Sequence, residues 1–336
     1  MKISATNHLI RPSVPALAAL FAATLAGWET APAQDFAVPT QSAIVELREG
    51  ITDRELAAGT QVVVLGTGTP IPDAYRAGSS IAVIHKGEAY LFDLGAGAVR
   101  NAATARYKYD IPSLYPSEIC CVFLTHLHSD HTLDFLELNF TLWWRRREPV
   151  SAFGPTGLAE MADAMVAMMQ PDIRIRTSGT QPVMASSSYR PVVNEISEGV
   201  IFEQDDLRIE AFDVMHGDIE PAFGYRVTSD DLTVVISGDT AYSEKLREMA
   251  TGADILLHEY ISEEGLLRNS EEFQAYHKSS HTTTTDLGRL AAAAQPDLLV
   301  LYHGLHYGMP ERDALDEVRA VYDGEVVLAD DLDVFP

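Results

Sequence analysis

From Gln61 onward, short runs of β-branched and apolar residues alternate with longer stretches of helical period. "QVVVLG", "SIAVIH" and "AYLFD" read as three strands, and "GAGAVRNAATARY" as a helix entered through glycines. The next strand, "ICCVFL", runs into "LTHLHSDHTLDF" at 124–135, and a helix is expected over about 132–144. "VSAFG" is a further strand, leading through "GPTG" to "LAEMADAMVAMM", a helix whose methionine-rich face reads as core. Residues 177–194 have the weakest periodicity and are expected to form a surface insertion.

A second series follows. "GVIFEQ", "LRIEAFDV", "AFGYRV" and "LTVVIS" are spaced as an antiparallel meander. After them "DILLH", a helix over 283–294, "DLLVLYH", a helix over 311–322 and "EVVLA" alternate strand and helix. No linker rich in Pro, Gly or Ser divides the halves, and no fixed-period repeat is present. Two β-then-α halves predict one α/β domain in which two sheets pack face to face with helices outside.

The N-terminus changes the picture at one point. Lys2, His8 and Arg11 flank the start of the apolar stretch "VPALAALFAATLAGW", and Ala31 and Ala33 supply a small-residue cleavage pattern. About 15 apolar residues fall short of the ~20 that span a bilayer, so no stable membrane anchor is expected. The expected organisation is a signal peptide at 1–33, an N-terminal segment at 34–59 and the two-sheet domain at 60–336. Cleavage near Ala33/Gln34 would make the protein periplasmic or secreted.

Loss of Lys2, Arg11 and Glu29 would move the formal charge from −25 to −26. Such a surface repels phosphate backbones at long range, so no nucleic acid partner is expected and a small-molecule ester is the expected substrate. The two cysteines, Cys120 and Cys121, are adjacent on a strand, which points them to opposite faces as small core residues.

The chemistry lies where histidine and aspartate fall. His126, His128, Asp130 and His131 form HxHxDH, and further polar residues close later apolar runs: His216, Asp239, His258 and His303. A strand end is rigid enough to fix a ligand yet opens onto an edge that substrate can reach. An irregular turn would aim His126 and His128 at one ion, and Asp130 and His131 at a second. Imidazole and carboxylate suit zinc, and also iron or manganese. Paired ions lower the pKa of bound water, polarise the scissile group and offset charge on the leaving oxygen.

These motifs resemble the metallo-β-lactamase superfamily from about Gln61 to the end. The resemblance implies a four-layer αβ/βα sandwich with two divalent ions, Zn2+ expected, at one edge of two packed sheets. It implies one ion held by His126, His128 and His216, another by Asp130, His131 and His303, and Asp239 between them. "LGTGTPIPDAYRAGSS", "YLFDLGAG", "FLTHLHSDH", "HGDIEPAFGYRV", "VVISGDT", "LLHEY", "YHKSSHTTT" and "LLVLYH" are similar to the branch of ribonuclease Z-like enzymes and zinc-dependent arylsulfatases. In the ribonuclease Z pattern a histidine before Ser or Thr pairs with the glutamate of a His-Glu motif and assists leaving-group departure. His281 and Glu259 match it, and with Asp130 they are the candidate catalytic residues.

Other residues carry structural readings. Asp93 is expected to shape the metal loop by accepting hydrogen bonds. "LGTGTP" lacks the third glycine of a dinucleotide fingerprint and is expected to border the site. His258 reads as buried or as a partner to the ligands; His277 and His306 read as pocket lining or as surface. Trp143, Trp144 and the following "RRR" read as a hydrophobic wall and a solvated cluster, or as substrate contacts. Asp134 stands where many superfamily members carry Gly.

The favoured expectation is an exported arylsulfatase-type hydrolase of sulfate esters, with His281 protonating the leaving oxygen. A lactonase or promiscuous β-lactamase is the first alternative, with Tyr242 in "DTAY" as its marker. A ribonuclease Z-like phosphodiesterase is another; the signal, the acidic balance and the lack of a long Gly/Pro-rich arm weigh against tRNA. A non-catalytic exported metal-binding protein is the alternative of a different class.

Overall fold

The computed structural model describes residues 59–336; the expected signal peptide and, apart from Gly59, the N-terminal segment lie outside them. Two seven-stranded sheets form the middle layers. The first contains β1 (Gln61–Gly66), β2 (Ser80–His85), β3 (Glu88–Phe92), β4 (Cys121–Phe123), β5 (Ser151–Gly154), β6 (Val192–Glu195) and the C-terminal β14 (Val334–Phe335), in the order β14-β1-β2-β3-β4-β5-β6. The second contains β7 (Gly199–Gln204), β8 (Leu207–Asp213), β9 (Phe223–Thr228), β10 (Thr233–Ile236), β11 (Ile255–Ile261), β12 (Leu298–Leu305) and β13 (Val326–Leu328). Its order is β13-β12-β11-β10-β9-β8-β7.

Each sheet is covered on both faces, which explains its nearly continuous apolar strands. In β1, Val62 and Val64 face the core between the sheets while Val63 and Leu65 face the outer helices. In β12, Val300 and Tyr302 point inward while Leu299 and Leu301 point outward. Over the first sheet lie α1 (Ala98–Lys108), α2 (Ser129–Phe140), α3 (Leu158–Met168) and α4 (Gln170–Ser178). Over the second lie α5 (Glu244–Met249), α8 (Thr284–Ala294) and α9 (Glu311–Arg319). Two short helices, α6 (Glu263–Leu267) and α7 (Glu271–Ser280), pack on a small separate cluster with Ile261 and Leu305. The αβ/βα sandwich is therefore as expected.

Several local expectations change. α2 begins at Ser129, with the extended His128 as its N-cap, so Asp130 and His131 occupy its first turn. Its apolar period starts only at Leu133, which is why the sequence pattern places the helix too late. Asp130 there complements the positive end of the helix dipole.

The expected insertion at 177–194 instead begins inside α4 and ends in β6, which hydrogen-bonds alongside β5. α4 buries only Ile173, leaving little periodicity to read. β14 completes the first sheet beside β1 from the far end of the chain, a pairing no local pattern announces.

The cysteines are free, but they do not face opposite layers. Cys120 lies just outside β4, and both side chains abut the core between the sheets. Of "RRR", Arg145 and Arg147 are exposed as expected, but the middle arginine is not. Arg146 is 2% exposed and donates to the carbonyls of Ile119 (2.8 Å), Leu138 (2.9 Å) and Pro116. Trp143 is buried with its indole N–H on Asp172, and the Arg176 guanidinium lies over the Trp144 ring.

Candidate metal centre

The parallel strands of both sheets end at one edge, and the candidate residues gather there. Asp93 follows β3, and 124–131 follow β4 into α2. His216 follows β8, Asp239 follows β10, and Glu259 and His303 lie near the ends of β11 and β12. Carboxyl ends of parallel strands are where open α/β sheets place ligands. Two of these residues hold left-handed backbone, Asp93 at φ +60° and His303 at φ +51°, a conformation that costs energy in a non-glycine residue and recurs at functional sites.

The histidines converge through defined ring nitrogens. His216 Nδ1 donates to the Ser280 carbonyl (2.8 Å) and His303 Nδ1 to the Gly68 carbonyl (2.6 Å). His131 Nδ1 bonds Asp93 Oδ2 at 2.7 Å, and His126 Nδ1 lies 3.0 Å from Thr125 Oγ1. Protonation at Nδ1 leaves Nε2 as a lone pair aimed inward.

His126 Nε2 and His216 Nε2 lie 3.0 and 3.2 Å from His128 Nδ1. At most one proton can occupy each of those gaps, so three imidazoles pressed together this way fit a shared cation. A second group contains Asp130, His131 and His303, with Asp130 Oδ2 3.5 Å from Nε2 of both histidines.

Asp239 stands between the two groups. Its Oδ1 lies 3.2 Å from His303 Nε2 and 3.4 Å from His131 Nε2, while Oδ2 turns to His216 Nε2 at 3.8 Å. Asp130 Oδ2, Asp239 Oδ1, His131 Nε2 and His303 Nε2 are buried and have no hydrogen-bond partner among the described residues. Orphaned buried polar atoms are costly in native proteins, and a divalent cation would satisfy all four. The residues present therefore fit the metal implied by the fold.

The electrostatics agree. Burial, then neighbouring imidazoles, hold the His126 pKa well below its ordinary value, favouring a neutral ring. Burial opposes charging His131, yet Asp239 and Asp93 lift its pKa well above the usual range. Burial would raise Asp239, but His303 and His131 keep it well below a normal carboxylate. The centre is a buried negative potential that wants positive charge.

His281, in the turn after α7, borders this cluster. Its Nδ1 lies 3.4 Å from Glu259 Oε2 and 4.0 Å from Asp239 Oδ2, and its side chain is 12% exposed. Burial opposes the charge, but Glu259 and then Asp239 push the pKa up to about 9. Glu259 is fully buried, and its Oε1 accepts the Thr282 N–H at 2.9 Å.

All the candidate residues thus meet at one edge. Asp93 takes the expected supporting place, accepting the Thr125 N–H and hydroxyl as well as the His131 bond. The "LGTGTP" loop borders the site through Gly68. His258 is buried with Nδ1 on its neighbour's carbonyl and belongs to none of the cation-binding groups. Tyr242 donates to Glu244 at 3.0 Å. Asp134 accepts the Val99 N–H at 2.9 Å, capping α1, whose own N-cap is Gly97.

The sequence reading missed Thr125 and the carbonyls of Gly68 and Ser280. Backbone acceptors carry no residue signature.

The backbone behind the centre is tightly interlocked. Leu94 N–H donates to the His131 carbonyl at 2.7 Å, and Asp134 N–H donates to that of Leu94 at 2.9 Å. A Cβ on Gly95 would lie 2.2 Å from the Asp130 carbonyl oxygen, so only glycine allows this approach.

Comparison with known proteins adds the family. The model for the β-lactamase superfamily domain matches residues 89–304. Ribonuclease Z of Mycobacterium sp. (strain KMS) is 31% identical over 277 residues, covering 81% of this chain and 94% of the relative. Ribonuclease Z of Mycolicibacterium gilvum (strain PYR-GCK) is 29% identical over 284 residues, with the same shares covered. Among solved structures, the short form of human tRNase Z superposes with a TM-score of 0.60 at 22% identity, over 82% of this chain and 98% of that one. A metallo-β-lactamase fold protein of Bacillus subtilis gives 0.60 at 19% identity, over the same shares.

Two expectations fail against these relatives. The arylsulfatase reading is overturned, because the relatives aligned along nearly their whole length are ribonucleases. The motifs behind it are shared by both kinds of enzyme, and both sulfate esters and phosphate diesters present an anionic tetrahedral centre. The expectation of no nucleic acid partner fails with it. Net charge acts on long-range encounter and does not decide which bond a buried centre can cleave.

Proposed function

This chain belongs to the β-lactamase superfamily, in its ribonuclease Z-like branch, and from that premise we propose that it is a dinuclear metal-dependent phosphodiesterase that cleaves RNA. The observation that carries the reading is the His281–Glu259 pair beside Asp239, a proton donor held at the edge of a cation-binding cluster. Identity to curated ribonucleases along most of both chains supports RNA as the polymer.

In this reading His126, His128 and His216 would hold one divalent ion and Asp130, His131 and His303 a second, with Asp239 available to both. Zinc suits the donor set. Such ions supply Lewis acidity toward phosphoryl oxygens and lower the pKa of water. Asp93, the Gly68 carbonyl and the Ser280 carbonyl orient the imidazoles by holding Nδ1 of His131, His303 and His216.

Hydrolysis forms a bond from water oxygen to phosphorus, with one water proton released to solvent, from which His281 is later reprotonated, and breaks the ester bond to the leaving oxygen. His281, held at Nδ1 by Glu259, donates its Nε2 proton to that oxygen, leaving a phosphate monoester and an alcohol. Glu259 stabilises the imidazolium until the proton moves.

The test is incubation of the metal-loaded protein with a tRNA transcript bearing a single-stranded 3′ extension and with an unstructured RNA. RNA cleavage abolished by His281→Ala and restored by wild-type protein is expected. Fully metallated, folded protein that leaves both RNAs intact would sink the reading. We also propose export, supported by Lys2, Arg11 and the apolar run before Ala33; N-terminal sequencing of the exported protein should begin at Gln34, and an intact Met1 there would refute cleavage.

A further inference from the structure

The proton donor marks the side on which the leaving group sits, so the surface next to His281 is what the departing nucleoside meets. His277, one turn earlier on α7, stacks on His281 with centroids 5.7 Å apart and planes at 28°. The Tyr307 hydroxyl lies 3.0 Å from His277 Nε2, and Phe273 packs under both rings at 4.2 and 5.1 Å. Tyr276, 64% exposed, closes the outer side against His277.

These rings contribute little to the main cores. Tyr307 and Phe273 pack against the small cluster around Leu266, and Tyr307 is held at φ +48°, in the left-handed region.

Behind Tyr307 opens a cavity of about 290 Å³. Gly68, Thr69, Arg76, His303, His306 and Tyr307 line it, so it shares His303 with the metal centre. Its one guanidinium is already committed: Arg76 bonds Glu311 at 2.6 Å and Asp330 at 2.9 Å. With that charge balanced and Asp73 also on the wall, the cavity does not favour a phosphate. It suits an uncharged planar group that stacks on a ring and exchanges hydrogen bonds with Thr69, His306 or backbone amides. His306 Nδ1 has no partner among the described residues. A chain of net charge −25 also has little long-range attraction for a polyanion, so grip must come from local contacts such as stacking.

We propose that this cavity receives the base of the nucleoside that carries the leaving oxygen, with Tyr307, braced by His277, as the face on which it stacks. The inference rests on the phosphodiesterase reading for its substrate. Stacking on an aromatic face tolerates every base, so the subsite confers preference for a nucleoside over a bare sugar without selecting a sequence.

Two readouts test it. The first uses matched RNAs that either bear or lack the base at the nucleotide whose oxygen leaves, as identified from the product that retains the phosphate. Wild-type protein should prefer the base-bearing RNA through KM by about 5- to 100-fold. Tyr307→Ala and Tyr307→Leu should bring that ratio close to one, while Tyr307→Phe keeps most of it. The second is quenching of 2-aminopurine placed at that nucleotide, titrated with metal-free protein, where Tyr307→Leu should lose the quench and Tyr307→Phe should retain it.

Equal losses on both RNAs, or Tyr307→Phe as impaired as Tyr307→Leu, overturn the proposal. Failure to cleave either RNA refutes the phosphodiesterase reading instead, and the fluorescence titration then decides the subsite: absence of a Tyr307-dependent quench overturns it. Thermal melting of each variant separates these results from misfolding.

Discussion

Glu259 places Oε2 3.4 Å from His281 Nδ1 while its Oε1 accepts the backbone N–H of Thr282 at 2.9 Å. One buried carboxylate thus faces the imidazole at ion-pair range and binds the peptide that follows it. A protonated His281 would turn Nδ1 to Glu259 and present its Nε2 proton on the opposite side of the ring.

The pair predicts a dependence on leaving group. His281→Ala should lower kcat about 10²- to 10⁴-fold on diesters with alkoxide leaving groups, and much less on nitrophenoxide esters that depart unaided. Glu259→Gln should show the same ordering with a smaller loss, because the amide still orients the ring. A loss uniform across leaving groups would assign the pair a structural role.

Asp239 faces both clusters, so its replacement should affect both. Metal analysis of wild-type protein should give about two divalent ions per chain, and Asp239→Asn should lower the content below one. Chelation should lower Tm by several degrees, reversibly on adding zinc, because binding stabilises only the folded chain. Unchanged melting and metal content in Asp239→Asn would remove the bridging role.

Asp134 acts on stability through α1. Asp134→Ala leaves the Val99 amide without its partner at the start of a helix capped by glycine. A cost of about 1–2 kcal/mol follows, which lowers Tm by about 2–8 °C in a domain of this size. Asp134→Asn should recover most of it. The effect should be the same with metal bound or removed, which separates it from the ligands three residues earlier.

The acidic surface sets the salt response. A chain of charge −25 repels RNA before contact, and added salt screens that repulsion. kcat/KM on RNA should therefore rise between about 20 and 150 mM salt, unlike the steep fall expected where Lys and Arg neutralise many phosphates. A steep fall would reveal a basic binding face.

Much of the centre was legible because its signals are local. HxHxDH crowds four polar residues behind an apolar strand, and the strand-end positions of His216, Asp239 and His303 repeat that arrangement. Alternating apolar runs likewise disclosed the strands, since side chains in a sheet have period two and both faces here are covered. Less legible were elements with one weak face. α4 buries only Ile173, and β14 has just two residues whose partner lies at the start of the domain.

By itself, the sequence determined two packed sheets through its periodicity and the ligand types through its residue chemistry, while the pairing of His281 with Glu259 was implied only by resemblance to the ribonuclease Z pattern. Only the tertiary structure decided which ring nitrogen of each histidine faces inward, since that is set by carbonyls of Gly68 and Ser280 far away along the chain. It also decided that Arg146 is a buried brace, that Asp134 caps a helix, and that His277 lies between Tyr307 and His281. Those relationships join residues from separate elements, and packing of the two sheets is the force that brings them within reach.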